Sequence, residues 1–526
     1  MKSKLSGYHD FFVNRVFPAI GFGAVTGAAT GAVVTVYKYC VKHTVALSAA
    51  GYAYLRGHIY WLPVVLAALL GIAYVFAFIY RKHPNLRGGG IPTSIGFIRG
   101  QIPFHWLINL IGLFGLSMVG FLIGVPLGTE GPSTQIGTAI GRGSVYTLAK
   151  KHKAWDRYSM SGGASAGFAT ATGAPVTGVV FAIEEAHHST SPMIMIVAAV
   201  SVACAHAAAG LLSPLLGVSA RLFEWMELPT LAFGDWWMPA LIGAGIGLFS
   251  ALFLRYYRWI SRLFNHTLAR IPAAIKMFAV FAVTVGLGLC SHHFISTGHE
   301  LVESLFEFTP AVWMLLLILV IRSTGTLSAT SNGITGGLYL PTLALGAVLA
   351  SLIGTLCLRL GVSPTYLGVI LSLGMAACIA GMMKTPITAI VFAVEALSCS
   401  NNIVPVIVAV IISFIITEIF NAKSVSECVL EHRIEEMRHG KTPQTSILNV
   451  TVQPRAFAVG KQVRDILWPN GLYVLSMQRP DGGAPQTDVH GEKVIGEGDV
   501  LQVRCVTYDE TAMWAELVAI VGEQKP

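Results

Sequence analysis

Residues 174–185 read APVTGVVFAIEE, and residues 385–396 read TPITAIVFAVEA. The two segments match at nearly every position by identity or close similarity, 211 positions apart. A second pair falls at almost the same offset: GTEGPSTQIGTAIG (128–141) against GLYLPTLALGAVLA (337–350), aligning Pro132 with Pro341 and Glu130 with Tyr339. The chain therefore contains two related halves, spanning about 16–215 and about 235–421. Segments 124–137, 333–346 and 381–394 are apolar yet broken by glycine and proline. Irregular backbone at membrane depth is tolerated only where it is buried in protein or lines a wet cavity. Broken segments at corresponding positions of two repeats are the mark of a transporter.

Composition agrees. Of the 526 residues 54% are hydrophobic and only 12% charged, and the mean hydropathy is +0.65; a soluble chain carries about 25% charged residues. Runs such as WLPVVLAALLGIAYVFAFIY (61–80) and WWMPALIGAGIGLFSALFLRYY (236–257) are long enough to cross about 30 Å of hydrocarbon. The fold class expected is an all-α polytopic membrane protein with broken and re-entrant helices. MKSKLSGYHDFF leads into the first apolar stretch without a short apolar region and cleavage site, so no cleavable signal peptide is expected. The net charge of +8 sits in short loops between apolar runs and not on a soluble face, which argues against nucleic acid.

Those loops suggest that the repeats are inverted. Loop 81–87 carries Arg81, Lys82 and Arg87, and loop 150–157 carries Lys150, Lys151, Lys153 and Arg157. Their counterparts at 291–309 and 358–366 hold Glu300, Glu303 and Glu307 against a single basic residue, Arg359. Opposite charge bias places equivalent loops on opposite sides of the membrane. The eight cysteines are scattered singly, and Cys204, Cys290 and Cys378 read as small packing residues in apolar stretches. After residue 440 the pattern changes to short strand-like runs, TSILNVTVQ, GLYVLSMQR and KVIGEGDVLQVRCV, and a closing helical run, DETAMWAELVAIV. A small α/β soluble domain over 441–526 is expected to follow the membrane domain 1–440, joined to it by the polar helical stretch 422–440.

Glu130 is the residue that most needs explaining. A charge at the bilayer centre is costly, so such residues are paired, hydrated or functional. Gly128 and Gly131 let backbone N–H groups turn inward, and Pro132 suits a first helical turn. A helix start with free N–H groups is an anion site. Glu130 can fill that site with its own carboxylate, or leave it to a dissolved anion once protonated; a helix-capping glutamate facing an aqueous loop is the plainer alternative. Two further glycine-proline stretches read as anion-cradling helix starts: Gly88-Gly89-Gly90-Ile91-Pro92 and Gly336-Gly337-Leu338-Tyr339-Leu340-Pro341.

Together GTEGP, GGGIP and GGLYLP resemble the G-[KR]-E-G-P, G-S-G-I-P and G-G-x-F-x-P motifs of the CLC family of chloride channels and proton-coupled anion exchangers, in order and spacing over about 10–435. The resemblance implies that Glu130 is the external gating glutamate and that Glu185 is the inner glutamate that passes protons to the cytoplasm. It also implies that the amides of Leu338 and Tyr339 hold the central anion beside the Gly89 stretch, with Gly90, Ile91 and Gly131 nearby, and that the protein is a homodimer with one pathway per subunit. The chain departs from the pattern at Gly89 (usually serine), at Ser426 (where the inner-gate tyrosine stands) and at Thr129 (usually basic). The expected function is exchange of chloride or a similar monovalent anion for protons, without a cofactor, in the inner (plasma) membrane with both termini cytoplasmic. A passive voltage- or proton-gated anion channel is the alternative; a fluoride exporter is disfavoured, because no added donors offset fluoride dehydration.

Glu184, Glu185, His187 and His188 form overlapping E-x-x-H patterns, which on membrane helices hold di-metal sites when a facing helix supplies a second cluster. The repeat partner VEALSCSNN has no histidine, so His187 and His188 read as polar residues at a helix end, and His206 as a buried, satisfied histidine. The run GEKVIGEGDVLQVRCV resembles the C-terminal half of TrkA-C-type regulatory domains, which implies a small-ligand or dimerisation role.

Overall fold

In the computed structural model, residues 12, 16–148, 153–223, 228–438, 440 and 442–524 are described; Lys150, Lys151 and residues 1–11 lie outside them. The first repeat comprises α1 (Phe17–Gly57), α2 (Leu62–Lys82), α3 (Gly90–Ile98), α4 (Trp106–Ile123), α5 (Glu130–Leu148), α6 (Asp156–Thr172), α7 (Pro175–Phe181) with a following π turn (Ala182–His187), and α8 (Pro192–Leu216). The second comprises α9 (Trp237–Arg262), α10 (Ala273–Cys290), α11 (His299–Glu307), α12 (Val312–Ser331), α13 (Tyr339–Arg359), α14 (Leu367–Met383), α15 (Pro386–Ala396) and α16 (Ile403–Ile419). Among the described residues ten helices are long and apolar enough to cross a membrane.

Two reciprocal contacts fix how the repeats meet. Gly128 and Gly337 form an antiparallel bridge, each N–H donating to the other's carbonyl at 2.7 Å. Equivalent segments thus run in opposite directions, and α5 and α13 leave the bridge in opposite senses. The second contact uses the glutamates at matching positions of the repeated sequence. Glu395 at the end of α15 accepts from the N–H groups of Val176 and Thr177 at the start of α7, at 2.8 and 2.7 Å, and from Thr177 Oγ1 at 2.7 Å. Glu184 accepts from Ile387 and Thr388 N–H at 2.9 and 2.6 Å and from Thr388 Oγ1 at 2.6 Å. Each repeat caps a helix of the other. A proline in the first turn of α7 and α15 leaves those N–H groups to a carboxylate, which the positive helix end favours. Exchange of identical contacts is the signature of a two-fold relation.

The turn before each capped helix is repeated as well: Gly173 and Lys384 both take left-handed backbone, with φ of 69° and 63°. At Gly173 a side chain would collide with the backbone of Ala220 and Arg221. Lys384 is held there by bonds to Glu418 (2.8 Å) and Thr417 (3.0 Å). Helices α5 and α6 pack backbone to backbone through Gly137 and Gly163, where a Cβ on either would overlap the other's carbonyl. Close approach through small residues is how membrane helices associate without a hydrophobic driving force. It gives α5 a rigid seat.

The polar stretch after α16 forms α17 (Val425–Arg438). Beyond it, β1 (Gln444–Thr451), β2 (Leu472–Gln478) and β3 (Val500–Thr507) form an antiparallel sheet of order β1-β3-β2, backed by α18 (Glu510–Val521). Its core of Val450, Leu501, Val503, Leu517 and Ile520 is separate from the membrane core. The unit docks on the start of α6. Tyr158 Oη donates to Asp465 O at 2.6 Å and accepts from Leu467 N–H at 3.1 Å, while Arg157 reaches Trp468 O at 2.6 Å and Glu516 at 2.5 Å.

Replacing Glu395 by Ala leaves two amides and a hydroxyl without their acceptor. Glu395→Ala is expected to destabilise the detergent-solubilised protein by about 2 kcal/mol, and Glu184→Ala by a similar amount. Thermal unfolding followed by tryptophan fluorescence checks both.

Candidate functional site: the anion and proton pathway

Three helix starts converge at the bridge. Prolines 92, 132 and 341 each occupy the third position of their helix, where the missing N–H would have no intrahelical partner. Gly90 and Ile91 of α3, Gly131 of α5, and Tyr339 and Leu340 of α13 hold the positions just before them, with Leu338 the residue before α13. Only glycine lets these starts meet. A Cβ on Gly90 would overlap the carbonyl of Gly131, and one on Gly131 would lie 2.6 Å from Gly337 Cα. Gly88, with φ of 78°, turns the chain into α3 and donates to Gly333 O at 2.8 Å. At Gly89 the position a Cβ would take is 3.3 Å from Gly336 O, so a small side chain fits with slight adjustment.

Glu130 is fully buried at this convergence. Its carboxylate lies against the backbone N–H groups of Glu130 itself and of Leu340, so it spans the starts of α5 and α13. Oε1 accepts from Thr129 Oγ1 at 3.4 Å, while no hydrogen bond of normal geometry reaches Oε2. Positive helix ends favour a negative group, and here the Glu130 carboxylate supplies it. Its burial sets it apart from a capping glutamate that faces an aqueous loop.

Glu185 lies on the π turn, a geometry common at functional positions, and is 4% exposed. Ser426 of α17 donates to its Oε1 at 2.8 Å, and Oε2 has no partner among the described residues. The hydroxyl of Ser426 is therefore directed to the Glu185 carboxylate, across 241 positions of sequence. Arg99 holds the turn by donating to the carbonyls of Ala186 (3.0 Å) and Glu185 (3.3 Å). His187 meets Ser161 at 2.7 Å, and Ser161 bonds the carbonyl of Arg157, the residue clasped by the C-terminal unit. The E-x-x-H pair is thus divided, Glu184 capping α15 while His187 turns to α6.

Some expectations are corrected. His206 is exposed on α8 and not buried. Cys290 is exposed and Cys204 half-buried, so of the three only Cys378 is a fully buried packing residue. The sequence reading did not single out Glu395 or Arg322. Glu395 was visible as the repeat partner of Glu184. Arg322 is fully buried and gathers the carbonyls of His293, Ile295 and Ser296; nothing in the local sequence announces it.

Two inverted repeats whose broken helices meet at a buried carboxylate define a membrane transport protein. Residues 70–418 match the voltage gated chloride channel family, and the chain belongs to that family. It is 26% identical over 427 residues to the H(+)/Cl(-) exchange transporter ClcA of Klebsiella pneumoniae (strain 342), covering 78% of this chain and 88% of that one. It is 27% identical over 428 residues to ClcA of Salmonella paratyphi B (strain ATCC BAA-1250 / SPB7), covering 77% and 87%. Solved structures share the fold. A slow cyanobacterial Cl-/H+ antiporter aligns with a TM-score of 0.71 at 22% identity, covering 80% of this chain and 99% of that one. A CLC-type fluoride/proton antiporter aligns with a TM-score of 0.61 at 20% identity, covering 77% and 96%.

Beside the convergence, α11 packs against α13. Its first residue, His299, has Nε2 2.6 Å from Leu222 O and Nδ1 3.4 Å from Glu303. Burial opposes its charge, but the Glu303 carboxylate, the Leu222 carbonyl and Glu130 together outweigh burial and hold His299 above the ordinary histidine range. A raised folded-state value contributes stability that is full below the unfolded value and is lost as pH rises through the folded one. Thermal stability in detergent is expected to fall modestly through this group as pH rises through and above the ordinary histidine range, the effect reduced by its partial exposure. His299→Gln should flatten that slope.

Proposed function

We propose that the protein is a proton-coupled anion antiporter, exchanging chloride or a similar monovalent anion for protons. The observation that carries this reading is the Glu130 carboxylate seated at two helix starts. A negative side chain holds the seat when ionised; protonated, it loses its claim on the N–H groups, and a free anion replaces it. Binding of anion and proton is thereby linked at one position. Glu185, buried at the inner side and steadied by Ser426 and Arg99, supplies the proton from the other face. The named relatives, described as H(+)/Cl(-) exchange transporters, support exchange over passive conduction.

The same reading places the chain in the inner (plasma) membrane with both termini cytoplasmic, as a homodimer joined through the membrane domain. The unit after residue 440 is read as a TrkA-C-like cytoplasmic domain. Its clasp on Arg157 and Tyr158 sets it one helical turn from Ser161 and hence from His187, so a ligand or dimer contact there has a short route to the Glu185 turn. A passive anion channel shares the fold and differs in one readout: its reversal potential follows the anion gradient alone, whereas that of an exchanger shifts with pH.

Glu130→Gln keeps the shape and removes the titratable group. Protein reconstituted in liposomes is expected to lose anion-driven proton uptake by roughly a hundredfold or more, leaving uncoupled anion movement or none. Uphill proton movement that survives the substitution would sink the gate assignment. Selectivity follows from Gly89. Backbone donors discriminate weakly among monovalent anions, so chloride, bromide and nitrate are expected to pass, with fluoride disfavoured. Gly89→Ser adds a hydroxyl where the space allows it and should raise chloride over nitrate in efflux from salt-loaded liposomes.

A further inference from the structure

Tyr339, the first residue of α13, is fully buried, and its hydroxyl has no hydrogen-bond partner among the described residues. Its ring is fixed edge-on between Phe168 (centroids 4.9 Å apart, 88° between planes) and Phe392 (5.4 Å, 79°). The ring is wedged, and the hydroxyl proton alone is free to rotate. A phenylalanine would fill the same slot and strand no polar atom, so the hydroxyl calls for a partner that is not a fixed part of the protein.

The surroundings name that partner. Tyr339 lies within electrostatic reach of both Glu130 and Glu185. Each of these carboxylates has Oε1 occupied by a neighbouring hydroxyl, Thr129 for Glu130 and Ser426 for Glu185. Each has a buried Oε2 that no hydrogen bond of normal geometry reaches among the described residues. Glu184, the third carboxylate within reach of Tyr339, is committed to the amides of α15 and is no part of the route. Glu185 Oε2, Tyr339 Oη and Glu130 Oε2 thus each lack a hydrogen bond of normal geometry among the described residues, and both carboxylates act on Tyr339.

We propose that the Tyr339 hydroxyl is the intermediate proton carrier between Glu185 and Glu130, an inference that rests on the antiporter reading above. In the transfer the O–H bond of protonated Glu185 breaks and its proton bonds to Tyr339 Oη. The proton that Tyr339 carried leaves for the Glu130 carboxylate. One proton has moved from Glu185 to Glu130, the phenol is neutral before and after, and no electrons change hands. Water completes any step longer than a hydrogen bond, as a further donor and acceptor of the same kind. Rotation of the hydroxyl about its C–O bond resets the carrier.

Tyr339→Phe removes one oxygen and keeps the ring. The full chain, wild type and variant, is reconstituted in liposomes, and chloride and proton fluxes are recorded together. The variant is expected to lose proton flux by at least about tenfold while chloride flux continues, moving the reversal potential toward the chloride equilibrium value. An unchanged proton-to-chloride ratio, with both fluxes normal or both reduced in step, overturns the proposal, since a purely structural or anion-holding role leaves the ratio alone. A wild-type protein that moves chloride without protons overturns the antiporter reading and the carrier with it; a coupled wild type beside an equally coupled variant overturns the carrier alone.

Discussion

The pair of hydrogen bonds between Gly128 and Gly337 is the constraint on which the rest of the structure depends. It ties the two repeats at matching residues, and it does so at the point where two helices begin. Both helices therefore start inside the protein and aim their unsatisfied N–H groups at a common region. A backbone-only bridge between glycines is what permits α3 to come within contact of α5, through Gly90 and Gly131. Any side chain at these positions would push the helix starts apart and leave buried N–H groups without an anion to face. The reciprocal caps of Glu184 and Glu395 hold the same two-fold relation at a second point, so the repeats cannot slide past each other.

With the geometry fixed in this way, the chemistry follows from charge. Free N–H groups in a dry interior need a negative partner, and Glu130 supplies one that is covalently attached and titratable. On the antiporter reading, which occupant the seat holds depends on the protonation of Glu130. The carboxylate of Glu185 lies in a different setting. It is fixed by a serine hydroxyl and by an arginine that grips the carbonyls of its own turn. The two glutamates sit in different hydrogen-bonding environments, which on the antiporter reading suits one to compete with the anion and the other to deliver protons.

Much of this was legible in the sequence because the repeat writes each feature twice. The match of 174–185 with 385–396 gave the two halves, and the glycine-proline stretches gave the three helix starts. Glu130 stood out as a carboxylate among glycines. The role of Glu395 was also written there, though it becomes plain only when both copies are seen capping each other. What was not legible depends on contacts between distant segments. Ser426 reads as a departure from a tyrosine, and its bond to Glu185 needs the third dimension. The same holds for Arg322, whose partners are carbonyls of a turn nearly thirty residues away, and for the clasp on Arg157 and Tyr158. Exposure of single residues such as His206 and Cys290 is likewise decided by which helix face is left uncovered, and a weakly periodic apolar run does not reveal that.

The central claim is that the Glu130 carboxylate and a transported anion compete for one seat at the starts of α5 and α13. Bromide anomalous scattering from crystals of the wild type and of Glu130→Gln, grown in bromide at neutral pH, measures this occupancy directly. The account predicts a bromide peak beside the Leu340 N–H in the variant and none there in the wild type. Bromide bound at that position in the wild type with the Glu130 carboxylate still in place would contradict it, and so would a variant whose seat stays free of bromide.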